Sequence, residues 1–246
     1  MTVEARGGPT TPAARQSTLR DHNLGIVLRT LAAHGELSRA AIAQRTGLTR
    51  ATVSRLVQEL LDAHFVTELG NTGPSGPGRP ATPLALSSKR FVGVGLELNV
   101  DYVAGKAIAL DGTVVSQFRE EYEAHDSEPT EALAQIAPHI ARLQAELAEY
   151  TTVGTILGVP GLVDVTTGTV LIAPNLGWKR VRPAEILGIE LDVMNDANAQ
   201  GYAAAFHAPG RPRTNGTFLY VSGDVGIGSA IVLGGENVDL IRSVFP

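Results

Sequence analysis

The chain has 246 residues, 43% of them apolar, which suits two domains with substantial cores. It contains no cysteine, so a disulfide framework and a thiolate metal site are both excluded. The formal net charge of −5 hides an asymmetry: up to Arg90 there are 11 Lys+Arg against 6 Asp+Glu, a net of +5, and beyond it 9 against 19, a net of −10. A basic head on an acidic body fits one module that meets phosphates and one that does not.

Residues 1–17 (MTVEARGGPTTPAARQS) lack the apolar run of a signal peptide and are expected to form a disordered leader. The longest uncharged stretch, Tyr150 to Val163, falls short of the ~20 apolar residues of a membrane span. A cytoplasmic protein without membrane contact is expected. Residues 18–88 read as the first domain and 91–246 as the second.

In the head, Leu24, Val27, Leu28 and Leu31 mark an amphipathic helix that stops at Gly35. The next stretch, LSRAAIAQRTGLTRATVSRLVQELL (residues 37–61), reads as two short helices around a tight turn. Ser38 caps a helix running from Arg39 to Arg45, Gly47 supplies a left-handed turn, and Thr49 caps the second helix. On that helix Val53, Leu56, Leu60 and Leu61 recur at core spacing, while Arg50, Ala51, Ser54, Arg55 and Gln58 form the opposite face. That face reads as free of acids. Arginine can read guanine and glutamine adenine in a major groove, so these residues, with Ser38, Arg39 and Thr49 nearby, are the candidate contacts to double-stranded operator DNA. Strand-like runs at 65–69 and 84–86 flank the Gly/Pro-rich segment 70–80, completing a winged helix-turn-helix. Arg79, between Gly78 and Pro80, either reaches a minor groove from this wing or belongs to a plain linker.

The body opens with three strand-like runs, at 91–98, 103–110 and 113–118, with Asp111-Gly112 as a hairpin turn. A helix over 129–149, a strand over 153–159, a corner at Pro160-Gly161 and a hairpin through Thr166-Thr167-Gly168 follow. A strand over 189–194 then leads into a helix over 197–206. Two more strands, 217–222 and 229–233, surround a glycine-rich turn. Antiparallel strands followed by alternating helix and strand give a mixed α+β and α/β chain. The body resembles one lobe of the actin-like, ribonuclease-H-type nucleotide-binding fold.

The helix-turn-helix stretch with its later GRP, then VGVGLELNVDYV, GVPGLVD, APNLGW, NDANA and VSGDVGIGSAIV, together resemble the ROK family (repressors, open reading frames and sugar kinases), in its transcriptional-regulator branch. The resemblance runs through most of the chain. It implies a homo-oligomeric bacterial regulator of sugar-related genes, a repressor in the leading reading, whose body binds a sugar or sugar derivative that changes operator affinity. In family kinases the NDANA carboxylate takes the proton from the sugar hydroxyl, a role that maps onto Asp196; a plain helix cap is its other reading. Gly161, Asn175, Asn195 and Asp196 are the candidate sugar-binding residues, since amides offer both donors and acceptors to hydroxyls. Trp178 reads either as a wall against a sugar ring or as core.

The family's kinases handle phosphate with an Asp-x-Gly-x-Thr turn, where this chain has Gly95-Leu96-Glu97-Leu98-Asn99. Their second phosphate loop is here Ser222-Gly223-Asp224-Val225-Gly226-Ile227-Gly228, with an acid at Asp224. Glu97 and Asp224 oppose phosphate, so no enzyme activity, cofactor or metal is expected. The family's later Gly-Glu-Ile-Gly-His and zinc-binding segments are not matched before Pro246. A second lobe of only two strands is therefore expected, with an exposed edge and an unfilled apolar face. Three functions stay open: a sugar-responsive regulator, a sugar kinase, and a DNA-binding remnant without ligand control.

Overall fold

The computed structural model describes residues 12–70, 82–208, 211–212, 216–223, 226–233 and 239–241. The first part of the expected leader, the wing tip with Arg79, and Asp224 lie outside the described residues. Contacts divide the chain between Leu86 and Ser87 into two units.

The first unit comprises α1 (Pro12–His34), α2 (Arg39–Thr46), α3 (Arg50–Asp62), β1 (Val66–Glu68) and β2 (Leu84–Leu86). Helix α1 begins inside the stretch expected to be leader; Pro12 suits a first turn, where no amide donor is required. Gly47 adopts φ 70° and its N–H returns to Ala43 O, which closes α2 and re-aims the chain. Val27, Leu31, Ile42, Val53, Leu56, Val57 and Leu84 are fully buried together, joining all three helices to the strands. The strands pair antiparallel, and Leu37 bridges to Leu84, so the wing's base is tied to the helices. Three helices and a two-stranded base make a winged helix-turn-helix.

The second unit is built on a five-stranded sheet ordered β10-β6-β3-β4-β5. Strands β3 (Phe91–Leu98), β4 (Tyr102–Ala109) and β5 (Val114–Glu121) run antiparallel, then helix α4 (Pro129–Glu146) leads to β6 (Thr151–Val159), parallel to β3. Alternation along β3 buries Val92, Val94, Leu96 and Leu98 in one core with Leu133, Ile136, Ile140 and Leu143 of α4. Phe118 lies over Gly105, where a Cβ would come 2.2 Å from its ring.

A small antiparallel sheet follows: β7 (Leu162–Asp164), β8 (Thr169–Ala173) and, after a 3₁₀ turn at Pro174–Leu176, β9 (Trp178–Val181). Helix α5 (Pro183–Leu187) then leads to β10 (Asp192–Asn195), parallel to β6, and α6 (Asp196–Ala205). Sequence reasoning missed β9 and α5. Each is about one turn or two residue pairs long and shows no periodicity of its own. Strands β11 (Phe206–Ala208) and β12 (Arg211–Pro212) form a short pair.

The remaining strands, β13 (Phe218–Gly223), β14 (Ile227–Leu233) and β15 (Asp239–Ile241), make a three-stranded antiparallel sheet against which α6 packs. The expectation of two strands here is corrected: β15 pairs with β14 through Asp239–Ile241. Gly201 and Gly228 set the close approach of α6, since a Cβ on either would stand 2.8 Å from Ala230 Cβ or Ala197 Cβ. The other face of this sheet is open among the described residues, with Leu219 and Val221 62% and 58% exposed.

Candidate nucleic-acid interface and ligand site

Helix α3 leaves its two faces sharply divided. Val53, Leu56, Val57 and Leu60 are buried, and Arg50, Ala51, Ser54, Arg55 and Gln58 are exposed. The two caps hold as local geometry: Ser38 Oγ accepts from Ala41 N–H at 3.2 Å, and Thr49 Oγ1 from Thr52 N–H at 3.1 Å. Both cap hydroxyls thus set the helix starts. Thr49 also shares a hydroxyl hydrogen bond with Thr52 at 2.9 Å.

The polar face is not free of acids, which corrects the sequence reading. Arg55 Nη1 donates to Glu59 Oε1 at 3.1 Å, and Gln58 Nε2 donates to Asp62 Oδ1 at 2.8 Å. The i,i+4 geometry brings residues outside the chosen face alongside it. Arg39 Nη2 donates to Glu68 Oε1 at 2.8 Å, bracing α2 against β1. Arg50 differs: it has no hydrogen bond or ion pair with any described residue. Arg45, exposed in the last turn of α2, is equally unengaged and was overlooked because it precedes the turn.

In the body, the NDANA segment and the GVPG corner meet. Gly161 adopts φ +111°, and a Cβ there would lie 2.3 Å from Ile172 O, so only glycine fits the corner. Asn195, 6% exposed, caps α6 by accepting from Asn198 N–H at 3.0 Å. Its Nδ2 donates to Gly161 O at 2.8 Å and to Asp196 Oδ1 at 3.0 Å. The Asp196 Oδ1 also accepts from Ala197 N–H at 2.7 Å. Asn195 therefore has its amide engaged within the protein, where it braces the corner against the helix.

Asn175 stands apart, half-buried in the 3₁₀ turn, with no hydrogen bond to a described residue. Its Nδ2 lies 3.5 Å from where a Cβ on Gly226 would stand, beside the β13–β14 turn. Asn198, overlooked in the sequence, carries a buried Oδ1 with no hydrogen-bond partner among the described residues. Its only signal was the second Asn of NDANA. Trp178 is core: it is 1% exposed and donates Nε1–H to Ser127 O at 3.0 Å.

The first turn of the body is closed on itself. Asn99 N–H donates to Tyr102 O at 2.9 Å and Val100 N–H to Asn99 Oδ1 at 2.6 Å. Glu97 accepts from the Tyr102 hydroxyl at 2.7 Å, while the Arg119 guanidinium lies 3.4 Å from the Tyr102 ring centroid. Burial, and then the Glu97 carboxylate, push the Tyr102 hydroxyl above its ordinary pKa. Two amides that a phosphate turn would need are committed here, and the Glu97 carboxylate is bonded to Tyr102.

Residues 93–239 match the model of the ROK family, and residues 25–73 that of the MarR family. The chain belongs to the ROK family. It is 28% identical over 235 residues to the xylose repressor of Bacillus subtilis (strain 168), covering 94% of this chain and 59% of the relative. The chain thus spans about three fifths of that relative's length. A solved ROK family transcriptional regulator, a homologue of the E. coli MLC protein, shares the fold with a TM-score of 0.65 and 23% identity, over 89% of this chain and 56% of that one. The body also matches an inorganic polyphosphate/ATP-glucomannokinase from Arthrobacter sp. strain KM, at a TM-score of 0.50 and 26% identity, over 61% of this chain and 60% of that one. The ROK fold thus carries both regulators and kinases. No helix among the described residues is long and apolar enough to cross a membrane.

Proposed function

We propose that this ROK protein is a cytoplasmic, operator-binding transcriptional repressor of sugar-related genes, acting as a homodimer whose body senses a sugar or sugar derivative. The observation that carries the reading is α3: a capped helix on a packed core, presenting Arg50, Ala51, Ser54, Arg55 and Gln58 to solvent. Arg50, unengaged by any described residue, has its full set of donors for a guanine edge or a phosphate. A dimer would place two such helices on paired half-sites one helical turn apart. The name of the Bacillus relative supports a pentose as the first effector to try.

In the body, Asn175 and Asp196 are the groups we assign to sugar contact, with Gly161 shaping the corner and Asn195 holding it in place. We assign no phosphoryl transfer to the chain. Phosphoryl transfer needs donors and cations around the transferred group, and the turn at Asn99–Tyr102 has spent the amides of Asn99 and Val100 internally. Enrichment of duplexes from a random 20-base-pair pool (about two turns of DNA), followed by gel shifts with xylose, glucose and N-acetylglucosamine, tests the regulator reading. The expected result is a common sequence whose complex one sugar weakens. Sugar-dependent ATP consumption lost on Asp196→Asn would replace this reading with the kinase one.

A further inference from the structure

The helix assigned to DNA carries one carboxylate that holds two arginines. Glu59 Oε2 accepts from Arg20 Nε at 2.9 Å and lies 2.7 Å from Arg20 Nη2, an ion pair that reaches from α1. Glu59 Oε1 accepts from Arg55 Nη1 at 3.1 Å, one turn back along α3. Each oxygen serves a different arginine, so the carboxylate cannot follow either one without losing the other. Glu59 is also the most enclosed of the three, its side chain 27% exposed against 47% for Arg20 and 60% for Arg55. Arg20 has a second, longer contact to Asp21 at 3.5 Å.

We propose that Glu59 is a positioning residue for base reading: anchored by Arg20, it fixes the guanidinium of Arg55 so that its remaining donors face a base edge. A guanidinium has five N–H groups in a rigid plane, and this contact engages Nη1 alone. The Nε–Nη2 edge stays available for a two-pronged contact to guanine. Holding the plane before DNA arrives lowers the ordering cost that a long free side chain would otherwise meet on binding. The inference rests on the reading of α3 as the DNA-contacting helix.

The physics supplies a test whose sign discriminates. An acid near phosphates repels every duplex, whatever its sequence. If Glu59 were only a bystander charge, Glu59→Gln would tighten binding to all duplexes alike. A positioning residue instead governs the ratio between a selected duplex and a shuffled one. The full chain, Glu59→Gln, Arg20→Gln, Arg55→Ala and Glu59→Gln/Arg55→Ala are titrated by fluorescence anisotropy against a duplex enriched by the wild type and a shuffled duplex of the same composition. Glu59→Gln is expected to lower the selected-to-shuffled ratio about three- to fivefold, the scale of a solvent-screened ion pair, with binding to the shuffled duplex unchanged or tighter. Arg20→Gln, exposed on α1, should lower the ratio in the same direction by less. In the Arg55→Ala background Glu59→Gln should change the ratio no further, because its target is gone. A ratio unchanged in Glu59→Gln and Arg20→Gln but lowered in Arg55→Ala overturns the positioning role and leaves the DNA-contacting helix intact. Failure to enrich any duplex, or binding indifferent to both Arg50→Ala and Arg55→Ala, overturns the reading of the helix itself.

Discussion

Two helix N-termini in this molecule use the same cap chemistry for opposite ends. At α3, Thr49 satisfies Thr52 N–H, and Arg50 and Ala51 just after it are exposed, Arg50 with no hydrogen bond or ion pair to any described residue. At α6, Asn195 satisfies Asn198 N–H and then turns its amide inward to Gly161 O and Asp196. One start leaves unspent donors facing solvent, while the other spends its amide to hold a concave corner in shape. The lesson is that a cap motif in sequence locates a helix start but not the direction in which its neighbours work. That direction depends on what packs behind the helix: solvent ahead of α3, the GVPG corner ahead of α6.

The difference has energetic consequences that mutations can expose. Asn195→Ala removes the α6 cap and leaves Gly161 O without its donor in a nearly closed site. The body should lose about 2–3 kcal/mol, a cap plus a stranded carbonyl. Urea unfolding of the body checks this, and a loss no larger than a lone cap's would mean that the Gly161 contact carries no weight. Thr49→Ala removes the outward-facing cap alone, so the head should lose about 1 kcal/mol, with Thr49→Ser restoring most of it. Equal losses at the two positions, measured in the same denaturant series, would erase the contrast.

The smallest effect concerns the other inward-spent group. The Tyr102 hydroxyl, buried and donating to Glu97, is held above its ordinary pKa. A raised folded-state value means that folding favours the protonated phenol. Its stabilisation is complete below the unfolded-state value near ~10 and is lost as pH rises through the higher folded value. Unfolding measured from pH 7 to pH 11 (roughly spanning the phenol's range) should show an alkaline decline that Tyr102→Phe lessens. Identical pH profiles in the two proteins would contradict that assignment.

Much of this was legible in the sequence, for identifiable reasons. The helix-turn-helix announced itself through Ser38, Gly47 and Thr49, because caps and left-handed turns are local and need particular residues. The order of β3, β4, β5, α4 and β6 followed from alternation and turn residues. The sequence did not reveal how the exposed arginines are engaged. Arg55 and Arg39 reach Glu59 and Glu68, and the second pairing joins residues far apart in sequence. Nor could composition separate Trp178 as core from Trp178 as a sugar wall; that took its burial and its bond to Ser127 O. Strand β15 was missed because its three residues, Asp239 to Ile241, show no alternation long enough to read.

The central claim is that α3 reads DNA through its unspent guanidinium. Its most direct test is the affinity of Arg50→Ala for the wild-type-enriched duplex, with thermal unfolding followed in parallel. The account predicts an unchanged midpoint and a loss of about 1–3 kcal/mol in binding, with discrimination relaxed at one base-pair position. A folded Arg50→Ala protein that binds the selected duplex with undiminished affinity and selectivity would contradict it.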